Sequence, residues 1–178
     1  SSKSNEWFTP EKYIEAVRTT MGSIDLDPAS TVKANKVVKA KEHFSQADDG
    51  LSLEWYGNVF LNPPYGKDEN EVSNQSVWSK VLIAEYKSGR IKQAILLVNA
   101  QTSEKWFQPL WKYPICFTDH RIKFYNDNGQ QNQPTHGNVF VYFGKLVKQF
   151  TDSFSVFGRI VVPQGPLGVV MDSHAEIA

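Results

Sequence analysis

The chain has 178 residues, 40% of them hydrophobic and 21% charged, which predicts a single globular domain with its own core. Its formal net charge is zero, so overall charge cannot hold a nucleic acid, and such a partner needs a local basic patch. The single cysteine, Cys116, excludes an internal disulfide and indicates a reducing, cytoplasmic compartment. No Cys/His spacing suggests a metal site, and no apolar run suggests a membrane span.

The first elements combine one helix with short strands. Thr9 and Pro10 are typical of a helix start, with Thr9 as the N-cap, and Gly22 ends the helix. Alternation over 24–27 predicts a strand that stops at Pro28. The stretch from Val37 to Phe44 favours a short second strand.

The remaining elements alternate between strands and helices. Strands are predicted at 58–62, 94–98, 115–117, 122–125, 139–143 and 160–162, and helices at 77–87, from 103 onward and at 146–154. This order predicts a compact α/β fold with a mostly parallel sheet, in which residues 1–163 form the domain and 164–178 a C-terminal tail. Such sheets bind ligands at the carboxyl ends of their strands, where Asp27 and Asn62 fall.

The tetrapeptide Asn62-Pro63-Pro64-Tyr65 is the strongest functional signal. Neither proline can continue a central strand, so the carbonyl groups are left to face a ligand beside the flat ring of Tyr65. Asn62 and Pro63 can then accept both N–H groups of a planar amine, directing the nitrogen lone pair at an electrophile. The alternative is a proline turn with a packed tyrosine. The tetrapeptide resembles the catalytic motif of amino-methyltransferases that use S-adenosylmethionine.

A second group of residues is suited to that cofactor. Asp27 at a strand end is placed for an ammonium group, the helix start at Thr9 offers N–H groups to a carboxylate, and Asp49 offers an acceptor to a ribose or adenine. A plain Asp-Pro turn, ordinary capping and a solvated acidic turn are the alternatives. The candidate cofactor-binding residues are Trp7, Thr9, Pro10, Asp25, Asp27, Pro28, Ala29 and Asp49.

A third group is suited to nucleic acid. Lysines recur along 33–41, basic and aromatic residues alternate along 121–124, and His136 follows in a polar loop. A solvated surface and a strand with outward charges are equally compatible with these patterns. The candidate DNA-binding residues are Lys33, Lys36, Arg121, Lys123, Phe124, His136 and Asn138.

The order of these motifs over residues 7–144 resembles the phage-type, Dam-like adenine-N6 DNA methyltransferases. The resemblance implies a Rossmann-like S-adenosylmethionine-dependent methyltransferase fold, adenine N6 in DNA as acceptor, and a bacterial or phage-infected cell. The chain departs from that pattern in lacking glycines after the first strand, and its short following segment implies a small or missing crossover helix. Target recognition then falls to polar loops near Asn70 and Gln131, to a homodimer, or to a further domain or subunit.

Other functions share the same residues. The amino-group chemistry also suits cytosine N4, an RNA adenine or a protein glutamine. A module that binds DNA or cofactor without catalysis belongs to a different class, and the intact motif at Asn62 argues against it.

Overall fold

A seven-stranded mixed sheet with helices on both faces is the framework of the protein, seen in a computed structural model that describes residues 7–132 and 134–164. The strands are β1 (Leu26–Asp27), β2 (Glu42–His43), β3 (Gly57–Leu61), β4 (Ile91–Asn99), β5 (Ile115–Thr118), β6 (Asn138–Phe143) and β7 (Gly158–Val161), in the order β2-β1-β3-β4-β6-β5-β7. The helices are α1 (Glu11–Met21), α2 (Val32–Val38), α3 (Asn74–Lys87) and α4 (Val147–Phe154), with 3-10 turns that include Lys105–Lys112. Nearly all of the predicted tail lies outside the described residues.

The sheet is half parallel and half antiparallel, which corrects the prediction of a mostly parallel sheet. The β2-β1, β1-β3 and β3-β4 pairs are parallel, whereas the β4-β6, β6-β5 and β5-β7 pairs are antiparallel. Every residue of β6 is buried. Burial on both faces produces the continuous apolar sequence of a parallel central strand, so the sequence of β6 does not reveal its direction.

The stretch predicted as a strand from Val37 begins within helix α2, and only Glu42 and His43 of it pair in the sheet. The hydroxyl of Thr31 caps this helix by accepting the N–H of Ala34 at 3.0 Å. At its other end Lys39 adopts a left-handed backbone with φ 54°. The crossover helix between the first strand and Asn62 therefore exists and has seven residues, as the short segment implied.

The predicted strand at 122–125 is also wrong. Tyr125 forms only isolated bridges, to Phe8 and to Gln131. The alternation nevertheless persists in the burial of the segment, since Ile122 and Phe124 are buried while Arg121 and Lys123 are exposed. An extended segment that pairs at single positions gives the sequence pattern of a strand without the ladder.

Two hydrophobic clusters hold the helices on the sheet. Alternate residues of the central strands point to opposite faces: Phe60 packs toward α1 and α4, whereas Val59 packs toward α3 and the 3-10 turn. Cys116 is fully buried in the first cluster, which confirms a packing role. No helix within 7–132 and 134–164 is long and apolar enough to cross a bilayer.

Candidate functional site

A cavity of about 770 Å³ opens at the carboxyl edge of the parallel half of the sheet. Its wall includes Asp27 from the end of β1 and Asn62 from the residue after β3, so these two strand ends face one cavity. This is the position at which open α/β sheets bind ligands. The volume lies within the range of ordinary small-molecule sites.

Asn62 is oriented by Thr9. The Asn62 amide Nδ2 donates to the Thr9 hydroxyl oxygen at 3.3 Å. Thr9 is 94% buried, and it makes no side-chain bond to the helix, whose N-cap is Pro10, so the capping role predicted for Thr9 is wrong. The Thr9 hydroxyl can accept from an amide NH2 or donate to an amide oxygen. With the NH2 group on Thr9, as the structure has it, Oδ1 points away from that contact, and no described residue donates to this oxygen.

The three residues after Asn62 (Pro63, Pro64 and Tyr65) form a ledge in the cavity wall. Pro63 is buried whereas Pro64 is exposed, and Tyr65 keeps 45% of its surface exposed. The ring of Phe124 contacts the Tyr65 ring edge-on, with 6.0 Å between centroids, which leaves a ring face of Tyr65 available for stacking. Desolvation raises the pKa of Tyr65 to about 12, so its hydroxyl stays neutral.

The polar loop after the ledge is a short ordered hairpin. Lys67 and Ser73 form a β-bridge, and the Asp68 carboxylate accepts the backbone N–H groups of Asn70 and Val72, each at 2.9 Å. Asn74 closes the loop by donating from its side chain to the Tyr65 carbonyl at 3.2 Å. Lys67, Asp68 and Asn74 line the cavity, so the hairpin forms one of its walls.

Asp27 is a buried carboxylate in this wall, with 3% of its surface exposed. Desolvation raises its pKa from 3.8 to about 7, against the opposing effect of hydrogen bonds from the Ala29 N–H, at 3.2 Å, and from Ser30. A buried carboxylate is stabilised in its charged form by a cation. The cavity wall thus provides a binding group for an ammonium.

The turn at Asp49 and Gly50 brings a second carboxylate to the rim. Asp49 is exposed and takes a left-handed backbone with φ 54°. Gly50 lies so close to Pro28 that a methyl group on its α-carbon would overlap the Pro28 carbonyl oxygen. This close approach places Asp49 beside the Asp27-Pro28 corner.

Two of the predicted cofactor residues lie elsewhere. Asp25 is outside the cavity wall, because its carboxylate accepts the backbone N–H of Asn58 at 2.8 Å and pairs with Lys41 at 3.2 Å. Pro10 also lies outside the wall, at the N-cap of α1. The residues brought together are Trp7, Thr9, Asp27, Pro28, Ala29 and Asp49.

A second cavity of about 340 Å³ adjoins the first, and the two share Trp7, Tyr65 and Gly66. Phe124, His136 and Asn138, three of the predicted DNA-binding residues, line it. Asn138 is 95% buried, so it can contact only a group that enters the cavity.

The four basic candidates lie outside both cavities and are exposed. Lys33 pairs with Asp127 at 2.7 Å, which links α2 to the loop at 126–130. Arg121 donates to the Pro134 carbonyl at 3.2 Å. Lys36 and Lys123 lie on the surface, so a DNA role for these four rests on their charge. Across the described ranges, no group of three or more His, Cys, Asp and Glu could hold a metal.

Several lining residues carry signals that the sequence analysis did not use. Asn99 ends β4, the longest of the seven strands, just as Asp27 ends β1 and Asn62 follows β3, so the same edge rule identifies it. Gln75 stands in the first turn of α3 without any motif around it. The other lining residues that were missed include Ser30, Thr31, Phe44, Trp78, Lys67, Asp68, Asn74 and Asn132.

The site belongs to an α/β protein in which a buried carboxylate and an amide-based acceptor face one cavity at the carboxyl edge of the sheet. The family described as DNA N-6-adenine-methyltransferase (Dam) matches residues 1–164, and the chain belongs to that family. Family membership implies methylation of adenine in DNA. Searches of curated proteins and of solved structures found no match.

Proposed function

We propose that this protein transfers a methyl group from S-adenosylmethionine to the exocyclic N6 amino group of adenine in DNA. The observation that carries the proposal is the position of Asn62 in the wall of the larger cavity, where Thr9 holds its amide, three residues before Tyr65, which lines both cavities. The larger cavity then holds the cofactor, and the amino group of the target base lies against Asn62 on the side away from the cofactor. Family membership supports both the reaction and the acceptor.

The larger cavity fits S-adenosylmethionine in its donor set. The buried carboxylate of Asp27 suits the ammonium of the methionine part, and the rim carboxylate of Asp49 suits a ribose hydroxyl or an adenine amino group. Phe44, Leu51 and Trp78 supply apolar surface between them for the adenine ring. When bound, the cofactor supplies an electrophilic methyl group on a sulfonium.

The role of Asn62 and Pro63 is to hold the amino group. An adenine amino group is a poor nucleophile because its lone pair is delocalised into the ring. Asn62 Oδ1 and the Pro63 carbonyl accept no hydrogen bond from a described residue, so both oxygens are available for the two N6 hydrogens. Accepting both hydrogens makes the nitrogen more tetrahedral and directs its lone pair at the methyl carbon. Transfer would form a nitrogen–carbon bond as the carbon–sulfur bond breaks, with the electron pair left on sulfur and one N6 proton released to water.

Positioning supplies much of the rate enhancement in such a site. Tyr65, supported edge-on by Phe124, provides the ring on which the base stacks. The base must leave the helical stack to reach Asn62, at a cost of about a few kcal/mol. We propose that the surface lysines and Arg121 contact the DNA phosphates. The same proposal includes a phage-type origin and a cytoplasmic location. It also includes target recognition by a homodimer or by a further subunit.

A transfer assay tests the function. The protein is incubated with methyl-labelled S-adenosylmethionine and with DNA duplexes that contain or lack adenine, alongside RNA and protein controls. We expect label in adenine-containing DNA alone. Equal label in adenine-free DNA would contradict the proposed acceptor, and bound cofactor without transfer to any acceptor would favour a binding module. Product digestion and identification of N6-methyladenine establish the methylated atom.

The variant Asn62→Ala separates chemistry from cofactor binding. Loss of a preorganised hydrogen-bonding group at a reacting centre typically lowers the rate by about 10²–10³-fold. We expect that loss in transfer, with an unchanged cofactor dissociation constant measured by calorimetry. A large loss of cofactor affinity would show that Asn62 belongs to the cofactor site instead.

A further inference from the structure

The wall of the second cavity is neutral and amide-rich. Among the described residues it contains no Asp, Glu, Lys or Arg, while four side-chain amides, Gln75, Asn99, Asn132 and Asn138, line it together with the apolar Phe124 and Ile122. Apolar rings suit a flat ligand, and neutral amides suit a ligand that offers both hydrogen-bond donors and acceptors. The composition therefore fits an uncharged heteroaromatic base better than a phosphate or an amino acid.

The orientation of Gln75 is fixed by the backbone. Gln75 Oε1 accepts the backbone N–H of Asn99 at 2.6 Å. Since a backbone N–H can only donate, the amide oxygen must lie on that side, and the NH2 group is directed elsewhere. No described residue accepts a hydrogen bond from Gln75 Nε2, so the cavity wall has a donor of known position.

Asn99 and Asn138 contribute a second donor. Asn138 Nδ2 donates to Asn99 Oδ1 at 3.3 Å, and the Thr118 hydroxyl holds the Asn138 backbone carbonyl at 3.1 Å. In either amide orientation this bond engages the NH2 group of one residue and the carbonyl oxygen of the other. One NH2 group and one carbonyl oxygen of the pair therefore remain for a ligand. Asn132 Oδ1 is also buried in this region without a partner among the described residues. Buried polar atoms without partners are uncommon in native proteins, so this oxygen is a further acceptor open to a group that enters the cavity.

We propose that the second cavity receives the flipped target base and that Gln75 reads it, donating from Nε2 to a ring nitrogen beside the amino group. This inference rests on the proposed function. Adenine carries an unprotonated ring nitrogen on each side of its amino group, N1 and N7, so donors from Gln75 and from the Asn99–Asn138 pair can engage both. Guanine and thymine present an N–H where adenine has N1, and cytosine has a ring nitrogen on one side only. The pair of donors therefore selects adenine.

The variant Gln75→Glu tests the reading role. It keeps an oxygen for the Asn99 N–H and replaces the cavity-facing NH2 with a carboxylate oxygen, and an acid in the first turn of α3 favours the helix. We expect kcat/KM for adenine duplexes to fall by about 10- to 100-fold, because a carboxylate oxygen then faces the lone pair of the ring nitrogen and the hydrogen bond is lost. Gln149→Glu makes the same chemical change on the exposed face of α4, away from both cavities, and we expect it to keep wild-type kcat/KM.

Deaza bases distinguish reading from a structural role. Duplexes carry 1-deazaadenine or 7-deazaadenine at the target position. We expect one of these to lower kcat/KM for the wild type, and Gln75→Glu to lose that sensitivity, since the donor that sensed the missing nitrogen is gone. A variant that keeps wild-type kcat/KM and wild-type sensitivity overturns the inference while the proposed function stands.

Base entry is measured separately from chemistry. A duplex with 2-aminopurine at the target position is titrated with wild type and with Gln75→Glu in the presence of S-adenosylhomocysteine. We expect a fluorescence rise for the wild type and a smaller one for the variant. If the wild type transfers no methyl group, the proposed function fails, and this comparison still decides the cavity: equal fluorescence in the two proteins overturns the role of Gln75.

Discussion

The contact between Thr9 and Asn62 offers the sharpest test of how the amino-group clamp is built. Thr9→Val replaces the hydroxyl with a methyl group of similar size at a position that is 94% buried. The bond from Asn62 Nδ2 is then lost, and the amide can turn so that its NH2 group, rather than Oδ1, faces the substrate. The substitution therefore alters the direction of one acceptor and leaves the ledge itself in place.

The size of the effect follows from the bond that is removed. A neutral hydrogen bond of this kind contributes about 0.5–1.5 kcal/mol net. Since each 1.36 kcal/mol changes a rate about tenfold, transfer should slow by about 2- to 13-fold. The loss should appear in kcat, because the misdirected acceptor acts at the reacting nitrogen, and it should be much smaller than the loss in Asn62→Ala.

The assay is single-turnover methyl transfer to an adenine duplex at saturating cofactor, with cofactor affinity measured in parallel. Thr9→Ser is the matched control, since it keeps the oxygen and loses only a methyl group, and we expect it to transfer at nearly the wild-type rate. Wild-type transfer by Thr9→Val, or an equal loss in Thr9→Ser, would refute the orienting role of the hydroxyl.

Three further predictions concern stability and the cofactor corner. Because burial raises the pKa of Asp27 from 3.8 to about 7, the folded protein keeps a proton that the unfolded chain has lost, so stability should fall as pH rises between these values; urea unfolding across pH should show this slope for the wild type and not for Asp27→Asn. Gly50→Ala should weaken cofactor binding by calorimetry, since its methyl group overlaps the carbonyl of Pro28 and displaces the turn; unchanged affinity would contradict the assigned packing. Phe150→Ala should cost about 3–5 kcal/mol in urea unfolding, because Phe150 is fully buried, whereas Val156→Ala, at a 75% exposed position, should cost under about 0.5 kcal/mol.

The part of the site that the sequence predicts is the part set by strand ends. The sequence identifies Asp27 and Asn62 as site residues because each stands where a predicted strand ends. Parallel strands bring such ends to one edge of the sheet. Asp25 shows the limit of that rule, since it lies two residues from Asp27 and differs only in its partners, Asn58 and Lys41. Those partners come from other segments, so the local sequence cannot distinguish the two carboxylates.

Other errors have a common physical origin in competition between local and tertiary signals. The two valines at 37–38 favour a strand by propensity, but they lie in a helix that the Thr31 cap starts and that the bonds between Asn35 and Ala40 close just beyond them. Gln75 has no sequence signal, because its orientation depends on the backbone N–H of Asn99, which lies 24 residues away. Only the fold brings that donor to the cavity.

The two sides of the site differ in charge, and the difference matches the two reactants proposed for it. The cofactor side carries Asp27, a carboxylate whose pKa burial raises to about 7, so the ammonium proposed for this corner would displace a proton from it. The acceptor side carries the amides of Asn62 and Gln75, which cannot ionise and therefore hold a neutral amino group without drawing a proton onto it. The separation of a charged corner from a neutral one therefore matches a cationic donor on one side and a neutral amine on the other.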